Sequence, residues 1–342
     1  MRTKNNRHLL LVMLVCAYIC LGCFPTIDIR RYSSGPVASG HQPNFVAPSM
    51  STLWSLKDIY TEQFTPILTA SGRKVCYIGA MNPTCENWGA HCLDGLNGQE
   101  LWSVDSRSCM DLVLGSDGLY VGCSGNTYVV KYDLNGDKLW STPLRGPGIR
   151  YMYLIDDQLQ VSTSLDELVG LNTSDGKGTL LHSDDQIVIF STLAVSYVDL
   201  NGLRAVDNNT KTVLWNTEWD GLFWLAPVFL ADVILFRTGI EMGRIYGIDR
   251  ASGATLWRTD ENIISNIAYS PTKATVYALS RDGQLLAINP ISGEQSILAE
   301  FSSVPFILDG EVGGYELAFD DTTQLLYVLL GDSRQLFAFQ IR

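Results

Sequence analysis

A leucine-tryptophan pair recurs about every forty residues, and this period predicts an all-β chain that folds as a seven-bladed β-propeller of four-stranded antiparallel blades. Clear copies are Leu53-Trp54, Leu101-Trp102, Leu139-Trp140, Leu214-Trp215 and Leu256-Trp257. Weaker copies are Thr179-Leu180 and Ser296-Ile297. Two further observations support the prediction: a turn of constant composition precedes each pair, and the segments between the turns are β-rich.

The turn begins with an apolar residue and an Asp or Asn, usually contains a glycine, and leads into a short strand. In Asn97-Gly98, Asn135-Gly136 and Asp175-Gly176 the second residue supplies the positive φ angle of a tight hairpin. Runs such as 275–279 lie upstream of the turns, so one unit is a meander of four strands.

The number of units predicts how the ring closes. Six complete units occupy residues 55–298, and the seventh reaches only its third strand, at 335–342. Segment 51–55 carries a Leu-Trp pair without a blade of its own. We expect it to pair with the C-terminal blade, which closes the ring and leaves no long open sheet edge.

These units resemble the pyrroloquinoline quinone (PQQ) repeat of the quinoprotein-dehydrogenase-like propellers, and the resemblance covers residues 51–342. In that family an Asp, a turn glycine and a Trp of the outer strand dock neighbouring blades. The resemblance assigns this role to Trp54, Trp102, Trp140, Trp215, Trp257, Asp94, Asp133, Asp207 and Asp249.

The catalytic members of that family have a vicinal Cys-Cys pair above the quinone and a Ca²⁺ site, and this sequence has no adjacent cysteines and no acidic triplet of that kind. Common catalytic motifs are absent as well. We therefore expect no catalytic residues, no metal and no cofactor. The alternative is a quinone- or metal-dependent oxidoreductase that uses the central channel.

The N-terminus has the form of an export signal. A basic start is followed by an apolar run at 9–19, too short to span a bilayer, and then by Cys20-Leu-Gly-Cys23, which resembles a bacterial lipobox. We predict a signal peptide at 1–23 with lipidation at Cys23, a flexible tether at 24–50 and the propeller at 51–342. The alternatives are simple cleavage and a retained anchor.

The expected location is therefore the bacterial cell envelope, on the periplasmic or outer surface of a membrane. The net charge of −12 argues against nucleic acid as a partner, because binding a phosphate backbone needs a basic surface.

Five cysteines follow Cys23, and in an exported protein disulfides are expected. Cys109 and Cys123 flank a turn and are predicted to bond. Cys92 is predicted to bond either Cys85 or Cys76, which leaves one thiol over. A metal site of Cys76, Cys85, His91 and Cys92 is a weaker alternative, because its spacing matches no zinc signature.

Loop positions predict a binding face. Loops that join blades, and loops that join second to third strands, share one end of a propeller, which we name the first face; the other hairpins form the second face. Candidate residues of the first face are Trp88, Arg107, Arg145, Arg150, Trp219, Phe223, Trp224, Arg237, Arg244, Arg258, Arg281 and Arg334. Lysines predominate on the second face. Arginine and tryptophan are common anchors of protein interfaces, so the first face is predicted to bind.

The function predicted is a non-catalytic, membrane-tethered binding or scaffold propeller that recognises a protein, a peptide or an anionic ligand, with another envelope protein as the expected partner. In repeat type, anchor and location the chain is similar to the propeller lipoprotein of the outer-membrane protein assembly machinery, which has eight blades. A further alternative is a polysaccharide-binding propeller that stacks sugars on Trp88, Trp219 and Trp224.

Overall fold

The computed structural model describes residues 45, 47–60, 68–80, 88–105, 108–124, 126–155, 157–183, 187–190, 193–198, 202–207, 209–218, 227–239, 243–260, 263–301, 315–331 and 333–342. The predicted signal peptide, Cys23 and nearly all of the predicted tether lie outside these residues.

The described residues are organised as short β-strands. In chain order the strands are β1 (Met50–Leu56), β2 (Leu68–Ser71), β3 (Lys74–Gly79), β4 (Gly89–Asp94), β5 (Glu100–Asp105), β6 (Cys109–Gly115), β7 (Gly118–Cys123), β8 (Tyr128–Tyr132), β9 (Lys138–Pro143), β10 (Ile149–Ile155), β11 (Gln158–Thr163), β12 (Leu168–Asn172), β13 (Gly178–His182), β14 (Ile187–Phe190), β15 (Leu193–Val198), β16 (Gly202–Asp207), β17 (Val213–Glu218), β18 (Val228–Phe229), β19 (Val233–Arg237), β20 (Ile245–Asp249), β21 (Thr255–Arg258), β22 (Ala268–Ser270), β23 (Thr275–Leu279), β24 (Gln284–Ile288), β25 (Gln295–Glu300), β26 (Tyr315–Asp320), β27 (Leu325–Leu330) and β28 (Gln335–Ile341).

Across the described ranges these strands form seven four-stranded antiparallel sheets, the number that the sequence repeat predicts. Blades 1 to 6 are β2–β5, β6–β9, β10–β13, β14–β17, β18–β21 and β22–β25, each in sequential order. Blade 7 has the order β26-β27-β28-β1, so the first strand of the chain is the outermost strand of the last blade. The predicted pairing of segment 51–55 with the C-terminal blade is confirmed.

The segment before β1 is hydrogen-bonded to the last residue of the chain. Ser49 and Arg342 exchange two backbone hydrogen bonds, of 3.1 and 2.9 Å. Phe45, Ala47 and Met50 also pack against the core between blades 6 and 7. The packed body therefore begins several residues before position 51, where the sequence analysis placed its start.

First strands of neighbouring blades contact one another: β26 contacts β2, β2 contacts β6, and β6 contacts β10. They form the inner wall around the axis, as expected for a propeller. The hydrophobic core lies between blades, where the faces of adjacent sheets pack together.

Each clear Leu-Trp pair marks a β-bulge. In blade 1, Trp102 lies opposite Cys92 while Glu100 lies opposite Leu93, so Leu101 is the extra residue. The same register shift occurs at Leu53, Leu139, Leu214 and Leu256. The bulged leucine faces solvent, and the adjacent tryptophan turns toward the next blade.

The tryptophan of one blade binds the turn of the following blade. The indole N–H of Trp102 in blade 1 donates to the carbonyl of Leu134 in blade 2 at 3.0 Å. The equivalent bonds run from Trp54 to Gly95, Trp140 to Thr173, Trp215 to Arg250 and Trp257 to Pro290. The bond from Trp54 joins blade 7 to blade 1, so it fastens the closure of the ring.

A glycine in the receiving turn makes room for the indole. Gly136 has a φ of 92°, and a Cβ added there would lie 2.8 Å from the Trp102 ring. Gly98, Gly176, Gly253 and Gly293 meet Trp54, Trp140, Trp215 and Trp257 in the same way. Only glycine combines the positive φ with this close approach.

The contact between tryptophan and turn explains why some units of the repeat lack the tryptophan or the turn glycine. The turn of blade 4, at 207–211, has no glycine, and blade 3 before it has no tryptophan to insert. By register, the counterparts of tryptophan in blades 3 and 6 are Thr179 and Ser296, and the bulges fall at Leu181 and Leu298. The prediction that Leu180 and Ile297 occupy the tryptophan position is therefore wrong by one residue.

Two disulfides link neighbouring strands: Cys76–Cys92 joins β3 to β4, and Cys109–Cys123 joins β6 to β7. All four cysteines lie in the core between blades 1 and 2. The Cys109–Cys123 prediction is confirmed. The candidate pairing of Cys85 with Cys92 is wrong, because Cys92 bonds its cross-strand neighbour Cys76. Cys85 itself lies outside the described residues.

We predict that Trp102→Ala lowers the free energy of unfolding by about 2–4 kcal/mol, because it removes a half-buried indole and its bond between blades. Urea unfolding measures the change. The matched control is Leu101→Ala, which truncates the exposed bulge residue beside it and should stay within about 0.5 kcal/mol. Equal losses in the two variants would contradict the conclusion that the contact of Trp102 with the turn of blade 2 stabilises the packing of the two blades.

We also predict that the double variant Cys109→Ala/Cys123→Ala loses about 3 kcal/mol of unfolding free energy, because the unfolded chain is no longer cross-linked. Cys85→Ala is the control, since Cys92 bonds Cys76 and Cys85 is in neither bridge. Urea unfolding without reductant measures both variants. A comparable loss in Cys85→Ala would contradict the prediction, because that variant leaves both bridges intact.

Candidate binding face

The strand order places the candidate arginines at the end of the propeller that the sequence predicts. Arg145 and Arg150 lie at the junction of β9 and β10, which joins two blades, and Arg281 and Arg334 lie in loops between second and third strands. Arg244 precedes the third strand of blade 5, and Arg258 ends its fourth strand. All six belong to the first face.

Arg145, Arg150, Arg244 and Arg334 are exposed, and Arg258 and Arg281 are partly buried. Arg150 forms an ion pair with Asp166, and the guanidinium of Arg334 stacks 4.3 Å from the centre of the Tyr60 ring. Within the part of the chain described, Arg145 and Arg244 have no carboxylate within ion-pair distance. Both are exposed guanidinium groups, the kind of side chain that commonly anchors a protein interface.

Two other candidates of this face, Trp88 and Arg237, are not surface anchors. Trp88 is buried in the core between blades 1 and 2, beside the disulfides. Arg237 is 3% exposed, and its Nε donates to the carbonyl of Ile263 at 3.0 Å. Arg107, Trp219, Phe223 and Trp224 lie outside the described residues.

The second face carries the lysines. Lys138, Lys177 and Lys211 are exposed at turns between third and fourth strands. Lys177 pairs with Asp175 at 2.7 Å, and Arg73 pairs with Asp94 at 3.1 Å. Surface ion pairs of this kind contribute little to stability.

The aspartates assigned to blade docking act within their own turns. Asp133 accepts the backbone N–H groups of Asp137 and Asn135 at 2.9 and 2.8 Å, and these bonds hold its pKa below the usual value. Asp94, Asp207 and Asp249 accept N–H groups two or three residues ahead in the same manner. They shape the turn that receives the indole of the preceding blade.

Three charged residues with shifted pKa values lie at the first-face ends of their strands. Asp111 lies near the start of β6, Glu316 near the start of β26, and Arg237 at the end of β19. Arg237 and Glu316 are buried, and Asp111 is partly buried. Burial raises the pKa of Glu316 well above its usual value; Arg237 opposes that shift, and the negative charge of Asp111 adds to it.

Asp111 and Arg237 are also perturbed. Burial raises the pKa of Asp111 to about 7, against the opposing effect of the N–H groups of Leu112 and Met152. Burial lowers the pKa of Arg237 to about 10, and Glu316 acts against that change. The sequence contained one signal for the two acids, since each interrupts an otherwise apolar strand, Cys109–Gly115 and Tyr315–Asp320.

In the described part of the chain no group of three or more His, Cys, Asp or Glu side chains is placed to hold a metal. Two of the ligands of the alternative metal site, Cys76 and Cys92, are bonded to each other, and His91 is hydrogen-bonded to Glu100 at 2.9 Å. The described ranges contain no helix that is long and apolar enough to cross a membrane.

We predict that Asp111 makes stability fall as the pH rises. A carboxyl whose folded pKa of about 7 exceeds its ordinary 3.8 binds more protons in the folded state between those values, so stability is lost across that window. The difference in unfolding free energy between wild type and Asp111→Asn should decline from about pH 4.5 to about pH 7 and then flatten. Urea titrations across this range test it, and a pH-independent difference would contradict it.

A family model described as the outer membrane protein assembly factor BamB matches residues 89–198 and 178–303, which together exceed half of the chain. No curated protein matches the sequence.

Among solved structures, BamB from Moraxella catarrhalis aligns with a TM-score of 0.52 at 14% identity, over 85% of this chain and 99% of that one. A chain of the Mitotic Checkpoint Complex aligns with a TM-score of 0.65 at 12% identity, over 92% and 99%. The β-propeller domain of Cps50 (Swd1) from Myceliophteria thermophila aligns with a TM-score of 0.62 at 12% identity, over 86% and 100%. At these identities the likeness shows the propeller fold alone. The match to the family model shows more: this chain belongs to the PQQ-repeat family of the outer membrane protein assembly factor BamB.

Proposed function

We propose that this chain is an exported, lipid-anchored scaffold: a closed seven-bladed propeller without catalytic activity that binds another envelope protein through the exposed arginines of the first face. The family match over more than half of the chain is the observation that carries this proposal, because the family is described as an assembly factor and not as an enzyme. A role in outer-membrane protein assembly is the corresponding proposal for this chain.

The regular interlock of the blades supports a scaffold role. Five indole–turn bonds fix neighbouring blades to one another, and one disulfide joins two strands within each of blades 1 and 2. A rigid ring holds its loops in fixed positions. Rigid loops lose little conformational entropy when a partner binds, which favours recognition.

The path of the N-terminal segment supports presentation of the first face. The backbone N–H of Phe45 contacts Glu294 at 3.3 Å, and Glu294 follows the turn between β24 and β25 on the second face. Phe45, the first residue that the structure describes, therefore lies at the second face. An acyl group on Cys23 would hold the protein from that side and leave the arginines of the first face accessible.

The test is partner capture with charge-reversed variants of the full-length, membrane-anchored protein. Arg145→Glu/Arg244→Glu should reduce the crosslinked partner several-fold, because reversed charges in an interface repel the complementary groups of the partner. The matched control is Lys138→Glu/Lys177→Glu on the second face, which makes the same change in net charge. Both sites are exposed, so each variant is expected to fold.

Equal loss of the crosslinked product in the two double variants would remove the first face as the binding surface. Retention of the product in both would do the same. Quantitative mass spectrometry of the crosslinked material distinguishes these results.

A further inference from the structure

Three turns of the first face share one backbone conformation. They join the second and third strands of blades 3, 6 and 7. In each turn one N–H donates to the carbonyl three residues earlier, and these donors belong to Asp166, Gly283 and Arg334. All three donor residues have a positive φ, of 62°, 77° and 54°.

Only the arginine is poorly suited to this conformation. Glycine adopts a positive φ without cost, and aspartate is among the side chains that tolerate it best. Asp166 also forms an ion pair with Arg150. A long side chain such as that of Arg334 is disfavoured there, because its Cβ crowds the backbone. Backbone strain of this kind is a reason to ask what the side chain does.

The side chain of Arg334 is held over an aromatic ring. Its guanidinium lies 4.3 Å from the centre of the Tyr60 ring, and its backbone carbonyl accepts the N–H of Ile59 at 3.1 Å. Tyr60 is itself fixed, because it exchanges two backbone hydrogen bonds of 2.8 Å with Ala80. The strained turn therefore places a guanidinium on a firm support.

The hydrogen-bond donors of this guanidinium are available. Arg334 is exposed, and within the described ranges no carboxylate lies at ion-pair distance from it. Contact with the face of a ring leaves the N–H groups along the edge of the guanidinium unused. By contrast, Arg150 already binds Asp166. Arg145 and Arg244 are exposed, but no aromatic ring of the described residues orients them.

We propose that Arg334, supported by Tyr60, is a binding site for the carboxylate of an acidic side chain on the protein partner. The planar fork of a guanidinium matches the two oxygens of a carboxylate. An arginine that is already oriented loses less conformational entropy on binding. This inference rests on the proposed binding function, and it names the chemical group that the first face recognises and the residue that recognises it.

The first experiment tests the site without a partner. The purified full-length protein, with ¹⁵N-labelled arginine, is titrated with Nα-acetyl-glutamate methylamide near neutral pH at constant ionic strength. The Nε–Hε resonance of Arg334 is assigned by its loss in Arg334→Gly. It should shift with an affinity several-fold higher than that of the Arg145 resonance, and the glutamine analogue, which lacks the carboxylate, should leave both unmoved.

The second experiment captures the partner with the membrane-anchored protein. Arg334→Gly should reduce the crosslinked partner several-fold. Its unfolding midpoint in urea should stay close to that of wild type, because relief of the backbone strain offsets the lost ring contact. The matched control is Lys211→Gly on the second face, since Lys211 is also an exposed cation with a positive φ, of 59°. This control should capture the partner as wild type does.

The variant Arg334→Lys identifies the group that is bound. It keeps the positive charge but loses the planar fork, so weaker capture is expected. A water-soluble carbodiimide then joins the new amine to any carboxylate in contact with it. Mass spectrometry of the product should locate the link at an Asp or Glu of the partner.

The proposal is overturned if the blocked glutamate shifts Arg334 and Arg145 with equal affinity, or if inorganic phosphate binds Arg334 more tightly than the blocked glutamate does. Unchanged capture by folded Arg334→Gly, or an equal loss in Lys211→Gly, overturns it as well. If Arg145→Glu/Arg244→Glu lowers capture while Arg334→Gly does not, the proposed function stands and this inference alone fails.

Discussion

The contact between an indole and a glycine-containing turn of the next blade is the interaction on which the rest of the structure depends. A β-sheet in a propeller buries both faces, so each blade needs a fixed position relative to its neighbours. The β-bulge aims the tryptophan outward from its own sheet, the glycine leaves a space without a Cβ, and a turn carbonyl accepts the indole N–H. Because each lock spans two blades, the set of locks specifies order around the ring as well as stability within it. The described residues show no such lock between blades 3 and 4 or between blades 6 and 7, and at the second of these junctions a hydrophobic cluster that includes Tyr277, Leu317 and Leu326 joins the two sheets.

The closed ring determines which charged residues lie on each face. Alternating strand direction sends the arginine-bearing loops to one end and the lysine-bearing hairpins to the other. The same alternation places the starts of all the first strands at the end that carries the arginines.

The repeat pattern was enough to predict the architecture and the pairing of the N-terminal strand, because period and turn chemistry are local properties. It did not reveal that Trp102 inserts into the turn containing Gly136, since tryptophan and glycine recur at similar spacing within and between units. Loop position predicted on which face each arginine lies, but not how deeply its side chain is buried. Trp88 and Arg237 are buried because neighbouring blades cover them, which single-sequence reasoning does not capture. Likewise Asp111 and Glu316 were visible as acids within apolar strands, yet the burial that raises the pKa of each is a result of tertiary structure.

The strand that completes the last blade is the first one synthesised, and its partner β28 is the last. Until β28 is available for pairing, blade 7 lacks its two outer strands, and blade 1 has no indole from Trp54 in its turn. Before closure the chain is therefore an open arc with unprotected sheet edges at both ends, and such edges recruit other strands. The risk of aggregation depends on how long that arc persists before its two ends meet, a kinetic hazard that the finished ring no longer has.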